Sequence, residues 1–85
     1  MTNTSLDRAV LNHAVANIAK RAGRKSEAIA FVYEAAAYYI SAGRDSFALR
    51  AVKEVAGYKE ARAYKTQMQT GEHRVAAELM RDENI

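Results

Sequence analysis

The sequence predicts an all-α fold, a small up-down bundle of three to five helices joined by short glycine-containing turns. Three observations lead there. The 85 residues include no proline and only four glycines, too few of the punctuators that loop-rich and sandwich folds require. Eighteen residues are alanine, the best helix former because it has no rotamer entropy to lose. The larger apolar residues recur at three- and four-residue spacing, the period of a helix with one covered face.

This length gives a single domain over residues 1–85, with a core of about 5–69 and a short C-terminal amphipathic helix and tail over 70–85. A chain of this size buries about 60–65 % of its unfolded surface, so packing must be efficient or a partner must help. Alanine makes a thin core, and the five tyrosines and two phenylalanines are expected to supply much of the buried area.

Helix 1 is expected from about Ser5 to Ala22. Thr4-Ser5-Leu6-Asp7 fits a capping box with aspartate at the far position, and Val10, Leu11, Ala14, Val15, Ile18 and Ala22 form the apolar stripe assigned to the core. Two strings then echo each other: Ala22-Gly23-Arg24-Lys25-Ser26-Glu27-Ala28 and Ala42-Gly43-Arg44-Asp45-Ser46-Phe47-Ala48. Each has a glycine to leave one helix and a serine read as the cap of the next. Two such joints about twenty residues apart imply antiparallel neighbours.

Helix 2, about Glu27 to Ala42, carries Ile29, Val32, Ala36, Tyr39 and Ile40 on one stripe. Ala28, Phe31, Ala35 and Tyr38 lie on a second beside it. A helix apolar on most sides belongs in the middle of the fold. Helix 3 begins near Ser46 with Phe47, Ala48, Ala51, Val52, Val55 and Ala56. Gly57 either kinks a continuing helix or ends it, with Tyr58 to Gln69 as a separate helix carrying Ala61, Tyr64 and Met68. No side-chain N-cap follows Gly57, which favours the continuous reading. Beyond Gly71, Glu72 to about Asp82 forms an amphipathic segment with Val75, Ala76, Leu79 and Met80 on one face, and Asp82 to Ile85 is expected to be disordered.

The net charge is +3, unevenly placed. Residues 1–26 hold Arg8, Lys20, Arg21, Arg24 and Lys25 against Asp7 alone. Lys20, Arg21, Arg24 and Lys25 read either as cations meeting the dipole at a helix C-terminus or as a patch for phosphate or an acidic protein surface. Arg50, Lys53, Glu54, Lys59, Glu60, Arg62 and Lys65 mix both signs, as a solvated face or the polar rim of a binding groove would.

The sequence offers no chemistry. Without cysteine, disulfides and thiolate sites are excluded. No Gly-x-Ser-x-Gly, phosphate-cradling glycine loop or His-Glu-x-x-His is present. His13 has no acidic residue three or four positions away, helix 2 offers only Glu27 and Glu34 as further ligands, and His73 has less company still. No catalytic residue, metal site or cofactor is therefore expected. No apolar run reaches the ~20 residues of a membrane span, and Met1 to Ser5 shows no leader pattern, so the chain reads as cytoplasmic.

Phe31, Tyr33, Tyr38 and Tyr39 cannot all point inward from one helix, so at least one is expected to be partly exposed. Tyrosine suits an interface because it gives large contact area at low entropy cost.

From helix 1 into helix 2, Val15-Ala16, Gly23, Glu27-Ala28 and Ala35 resemble the hairpin of tetratricopeptide-type repeats. The Gly-x-x-x-Glu-Ala turn with the later pair Tyr38-Tyr39 is similar to the microtubule-interacting-and-transport domain, over about Leu6–Lys65. Asn12 and Ala19 stand where the repeat has aromatic residues, and Ile40 where it has its closing proline. The resemblance implies an inter-helix groove that takes a partner's helix or extended tail, and no catalytic residues.

The leading expectation is a non-enzymatic protein–protein interaction module, an adaptor or a small inhibitor that occludes a site on a larger protein machine. Its candidate contacts are Lys20, Arg21, Arg24, Lys25, Tyr33, Tyr38, Val75, Leu79 and Met80. Nucleic-acid binding through the basic end of helix 1 is the second reading. The third is self-assembly, as a homodimer through helix 2 or the Val75–Met80 face.

Overall fold

A computed structural model describes residues 4–70 as four helices: α1 Thr4–Arg21, α2 Lys25–Ser41, α3 Asp45–Ala56 and α4 Tyr58–Thr70. No strand occurs among the described residues, and no helix there is long and apolar enough to cross a membrane. The Val75–Met80 face lies outside the described residues.

The two echoing strings are one structure used twice. The Gly23 amide donates to the Lys20 carbonyl (3.1 Å) and the Arg24 amide to that of Ala19 (2.9 Å). Gly43 donates likewise to Ile40 (2.9 Å) and Arg44 to Tyr39 (2.7 Å). Both glycines have φ +77°, the left-handed turn that closes a helix by this paired bonding. The arginine carbonyl then opens the next helix, accepting from Ala28 (2.9 Å) or Ala48 (3.1 Å).

That economy corrects the serine caps. Arg24 and Arg44 occupy the N-cap positions with no side-chain cap bond, and Ser26 and Ser46 already lie in the first turn. The residue that closes one helix opens the next, so no position is left between them for a capping serine.

Gly57 corrects the continuous-helix reading. Its φ of 97° and ψ of 173° are far from helical and almost confined to glycine. Its amide donates back to Lys53 (3.1 Å), and its carbonyl accepts from Ala61 (3.1 Å). One residue thus ends α3 and starts α4 through its own backbone, which is why no capping side chain follows it.

The helices pack in chain order: α1 on α2, α2 on α3, α3 on α4. Ser5, at the start of α1, lies 3.4 Å from Ser41 at the end of α2, hydroxyl to hydroxyl, as antiparallel neighbours require. As expected, α2 is central, with Ala28, Val32, Ala35, Ala36, Tyr39 and Ile40 buried. The self-assembly surface imagined on α2 is thus largely taken up by its own neighbours. Tyr64 of α4 is the largest fully buried side chain.

The face assigned to the core in helix 1 is wrong. Ser5, Ala9, Ala16 and Ala19 are the buried residues of α1, whereas Val10, Leu11 and Ile18 are 54 %, 64 % and 64 % exposed. Apolar residues occupy both sides of this helix, so size alone did not identify the inner one. The polar side chains decide it. Ser5, His13, Asn17 and Lys20 lie on the alanine side and reach partners on α2 and α3. Turning the helix over would forfeit every one of those bonds and would bring large side chains into a space sized for alanine.

Candidate partner-binding surfaces

The short turn at Gly57 lays α4 against α3 and leaves an open groove of about 690 Å³ between them. Leu49 and Ala61 give it apolar lining, Tyr58 stands at its wall, and Arg50, Lys53, Arg62 and Lys65 surround it with Thr66. No acidic residue lines it. None of the four cations forms an ion pair among the described residues. Tyr58 is 67 % exposed.

The fold produces that single sign by sorting charges that the sequence mixes. Glu54 turns from α3 toward α1, where Asn17 Nδ2 donates to its carboxylate (2.8 Å) and His13 Nε2 lies 3.5 Å away. Lys20 Nζ donates to the Glu54 backbone carbonyl (2.6 Å). Glu60 turns from α4 toward α2 and accepts a hydrogen bond from the Tyr33 hydroxyl (2.5 Å). Both carboxylates, though exposed, are thus turned to neighbouring helices and away from the groove, whose lining is left to the cations. From sequence, Arg50, Lys53, Arg62 and Lys65 read with Glu54 and Glu60 as a mixed-sign solvated face or groove rim; their single sign around a groove, and Tyr58 beside them, do not. The available signal was the three-residue spacing of Arg50/Lys53 and Arg62/Lys65 on either side of Gly57, readable once Gly57 is known to be a turn.

At the basic end of helix 1, Lys20 donates to the Glu54 carbonyl and Arg24 lies 3.6 Å from Glu27. Lys20, Arg21, Arg24 and Lys25 are all exposed.

The tyrosines of α2 are tied more closely than expected. Tyr33 is half-buried, stacked at a tilt on Tyr64 with ring centroids 5.6 Å apart. Burial first, then the hydrogen bond to Glu60 and its charge, push the Tyr33 hydroxyl up to about 12. Burial chiefly does the same for Tyr64, to about 12, and raises Tyr39, with Glu54 adding to it. Tyr38 is half-buried with the Arg8 guanidinium 5.8 Å from its ring centroid. His13, Tyr39 and Phe47 form an edge-to-face series across α1, α2 and α3 at 6.0 and 5.8 Å. Arg44 and Arg50 lie 5.7 and 5.9 Å from the Phe47 ring centroid. These contacts give the aromatic residues structural employment; Tyr58, on α4, is the most exposed of them at 67 %, ahead of Phe47 at 42 %.

The second open surface is the outer face of α1, where Val10, Leu11, Ala14 and Ile18 are exposed together. Single exposed aliphatic residues are ordinary; here four lie together on one side of a helix. Among the described residues, no three His, Asp or Glu side chains gather as a metal site would need.

No protein-family model matches the chain, and no curated protein or solved structure matches it; the structure shows a small all-helical arrangement of four helices.

Proposed function

We propose that this chain is a non-enzymatic protein–protein interaction module whose α3–α4 groove receives an acidic segment of another protein. It would act as an adaptor, or as a small inhibitor covering a site on a larger assembly. The observation that carries the reading is the groove itself: four cations with no acid around an apolar lining. An amphipathic segment with carboxylates flanking one or two aliphatic side chains complements it. The aliphatic groups would lie on Leu49 and Ala61, the carboxylates would meet Arg50, Lys53, Arg62 and Lys65, and Tyr58 would close over the contact. Charge complementarity of this kind raises the association rate and selects the partner, and apolar contact slows release.

The test is capture of partners from the native host with wild-type and Lys53→Glu/Arg62→Glu baits, followed by crosslinking from position 58. The expected result is a protein retained by the wild type, lost by the variant, and crosslinked through an acidic stretch. Recovery of the same proteins by both baits, or turnover of a small molecule by the purified chain, would refute it.

The same four cations beside an exposed tyrosine also suit a phosphate backbone with a base stacked on Tyr58, which gives the nucleic-acid reading a second place besides the basic end of helix 1. That reading requires binding of single-stranded oligonucleotides that weakens steeply with salt and is lost in Tyr58→Ala.

A further inference from the structure

The outer face of α1 has an order that its exposure alone does not convey. At about 100° per residue, Asp7, Val10, Leu11, Ala14, Ile18 and Arg21 fall within an arc of about 100°, opposite Ala9 and Ala16. All six are exposed. About Ala14 the arrangement is symmetric in position and opposite in charge. Val10 and Ile18 stand one turn before and after it, and Asp7 and Arg21 stand two turns before and after it.

We infer that this face pairs with the same face of a second copy of the chain, antiparallel, about a two-fold axis passing by Ala14. Such an axis sets Val10 and Leu11 of each copy against Ile18 of the other. It brings the two Ala14 side chains together, where their small size lets the helices approach closely. It also places each Asp7 carboxylate beside the Arg21 guanidinium of the other copy, at both ends of the apolar seam. The interface is isologous, the commonest form of self-association.

The charges favour this occupant. A parallel copy would put Asp7 on Asp7 and Arg21 on Arg21. A uniformly acidic or uniformly basic helix would suit one end and repel the other. Only an occupant with the charge order reversed along the seam matches both, and an antiparallel second copy has that order by construction.

One helix on one helix is a modest interface, below the roughly 1,200 Å² at which standard stable complexes begin. The dimer is therefore weak and concentration-dependent. It makes no use of the α3–α4 groove, so it stands or falls apart from the proposed partner binding.

The test is sedimentation equilibrium of the full chain from low to high micromolar concentration. The wild type should pass from monomer to dimer. Leu11→Ser/Ile18→Ser should stay monomeric with unchanged helix content, because both side chains are exposed in the monomer. Asp7→Arg alone and Arg21→Asp alone each replace two attractive pairs by two repulsive ones, and should weaken self-association about tenfold. A one-to-one mixture of the two variants should regain it, and the double variant Asp7→Arg/Arg21→Asp should dimerise like the wild type. A photocrosslinker at position 11 should join two chains near Ile18.

A wild type that stays monomeric throughout would overturn the inference. So would a dimer indifferent to the serine variant, or crosslinks from position 11 to residues 71–85 of the same chain. If the single variants self-associate as the wild type does while their mixture pairs more tightly than the wild type, the arrangement is parallel and the inference is wrong.

Discussion

On the outer face of α1, aliphatic side chains stand exposed between an acid at one end and a base at the other. In the groove between α3 and α4, four cations surround Leu49 and Tyr58 with no acid among them. The difference comes from where each helix finds its internal contacts. α1 meets the rest of the fold through alanines, Leu6 and polar side chains, so Val10, Leu11 and Ile18 remain outside. α3 and α4 meet their neighbours through Val52, Val55, Tyr64 and the carboxylates of Glu54 and Glu60, so their cations remain outside. A surface is what the internal packing leaves over, and in this chain two kinds of packing leave two kinds of surface.

The largest effect should come from the two sides of α1. Ala16 is fully buried, and Ala16→Leu should destabilise the chain by about 1–3 kcal/mol through overpacking. Leu11→Ser on the other side should stay within about 0.5 kcal/mol in dilute solution. Urea unfolding at low micromolar concentration measures both. Equal costs would break the comparison.

The turns rank next. Nothing lies within 4 Å of a Cβ built on Gly23, Gly43 or Gly57, so substitution costs arise from the backbone alone. Gly23→Ala and Gly43→Ala should each cost about 1–2 kcal/mol, and nearly the same as each other because both have φ +77°. Gly57→Ala should cost about 1–3 kcal/mol, at or above those two, given its φ of 97° and ψ of 173°. It should also weaken partner binding, because it displaces α4 from α3, whereas the other two should leave the groove intact.

The smallest effect is on pH dependence. Tyr33 and Tyr64 titrate near 12 in the fold, above an ordinary tyrosine at about 10. The folded state therefore holds these protons more tightly than the unfolded chain. Their stabilisation is complete below pH 10 and is lost as the pH rises toward 12. Tyr33→Phe should flatten that decline as followed by urea titrations across the interval. A chain whose stability stayed constant from pH 10 to 12 would show that the Tyr33–Glu60 contact is not maintained.

The sequence carried the helix count range, the central place of α2 and the identity of the two repeated joints, because glycine and alanine act locally. In its second reading of Gly57 it also named Ala61, Tyr64 and Met68 as the apolar residues of a separate helix, and these are the buried ones of α4. It did not carry the inner face of α1, because alanine weighs little in a hydrophobic pattern even when it makes the closest contacts. Of the groove it carried only a mixed-sign polar rim, as one of two readings. Glu54 and Glu60 sit among lysines and arginines in the chain, and only the tertiary positions of His13, Asn17 and Tyr33 turn those acids toward α1 and α2. The Gly57 turn was half legible, as one of two readings, because a capping side chain was sought where backbone alone suffices.

The most direct measurement of the α1 assignment uses the absence of cysteine from the chain. Single Ala9→Cys, Ala16→Cys, Leu11→Cys and Ile18→Cys variants would be treated with a thiol reagent in dilute, native conditions. Positions 11 and 18 should label about as fast as an unstructured peptide, and positions 9 and 16 only as fast as the fold opens. Rapid labelling at 9 and 16 with protection at 11 and 18 would contradict the account, since the aliphatic stripe would then be the core and the outer surface of α1 would be the alanine face.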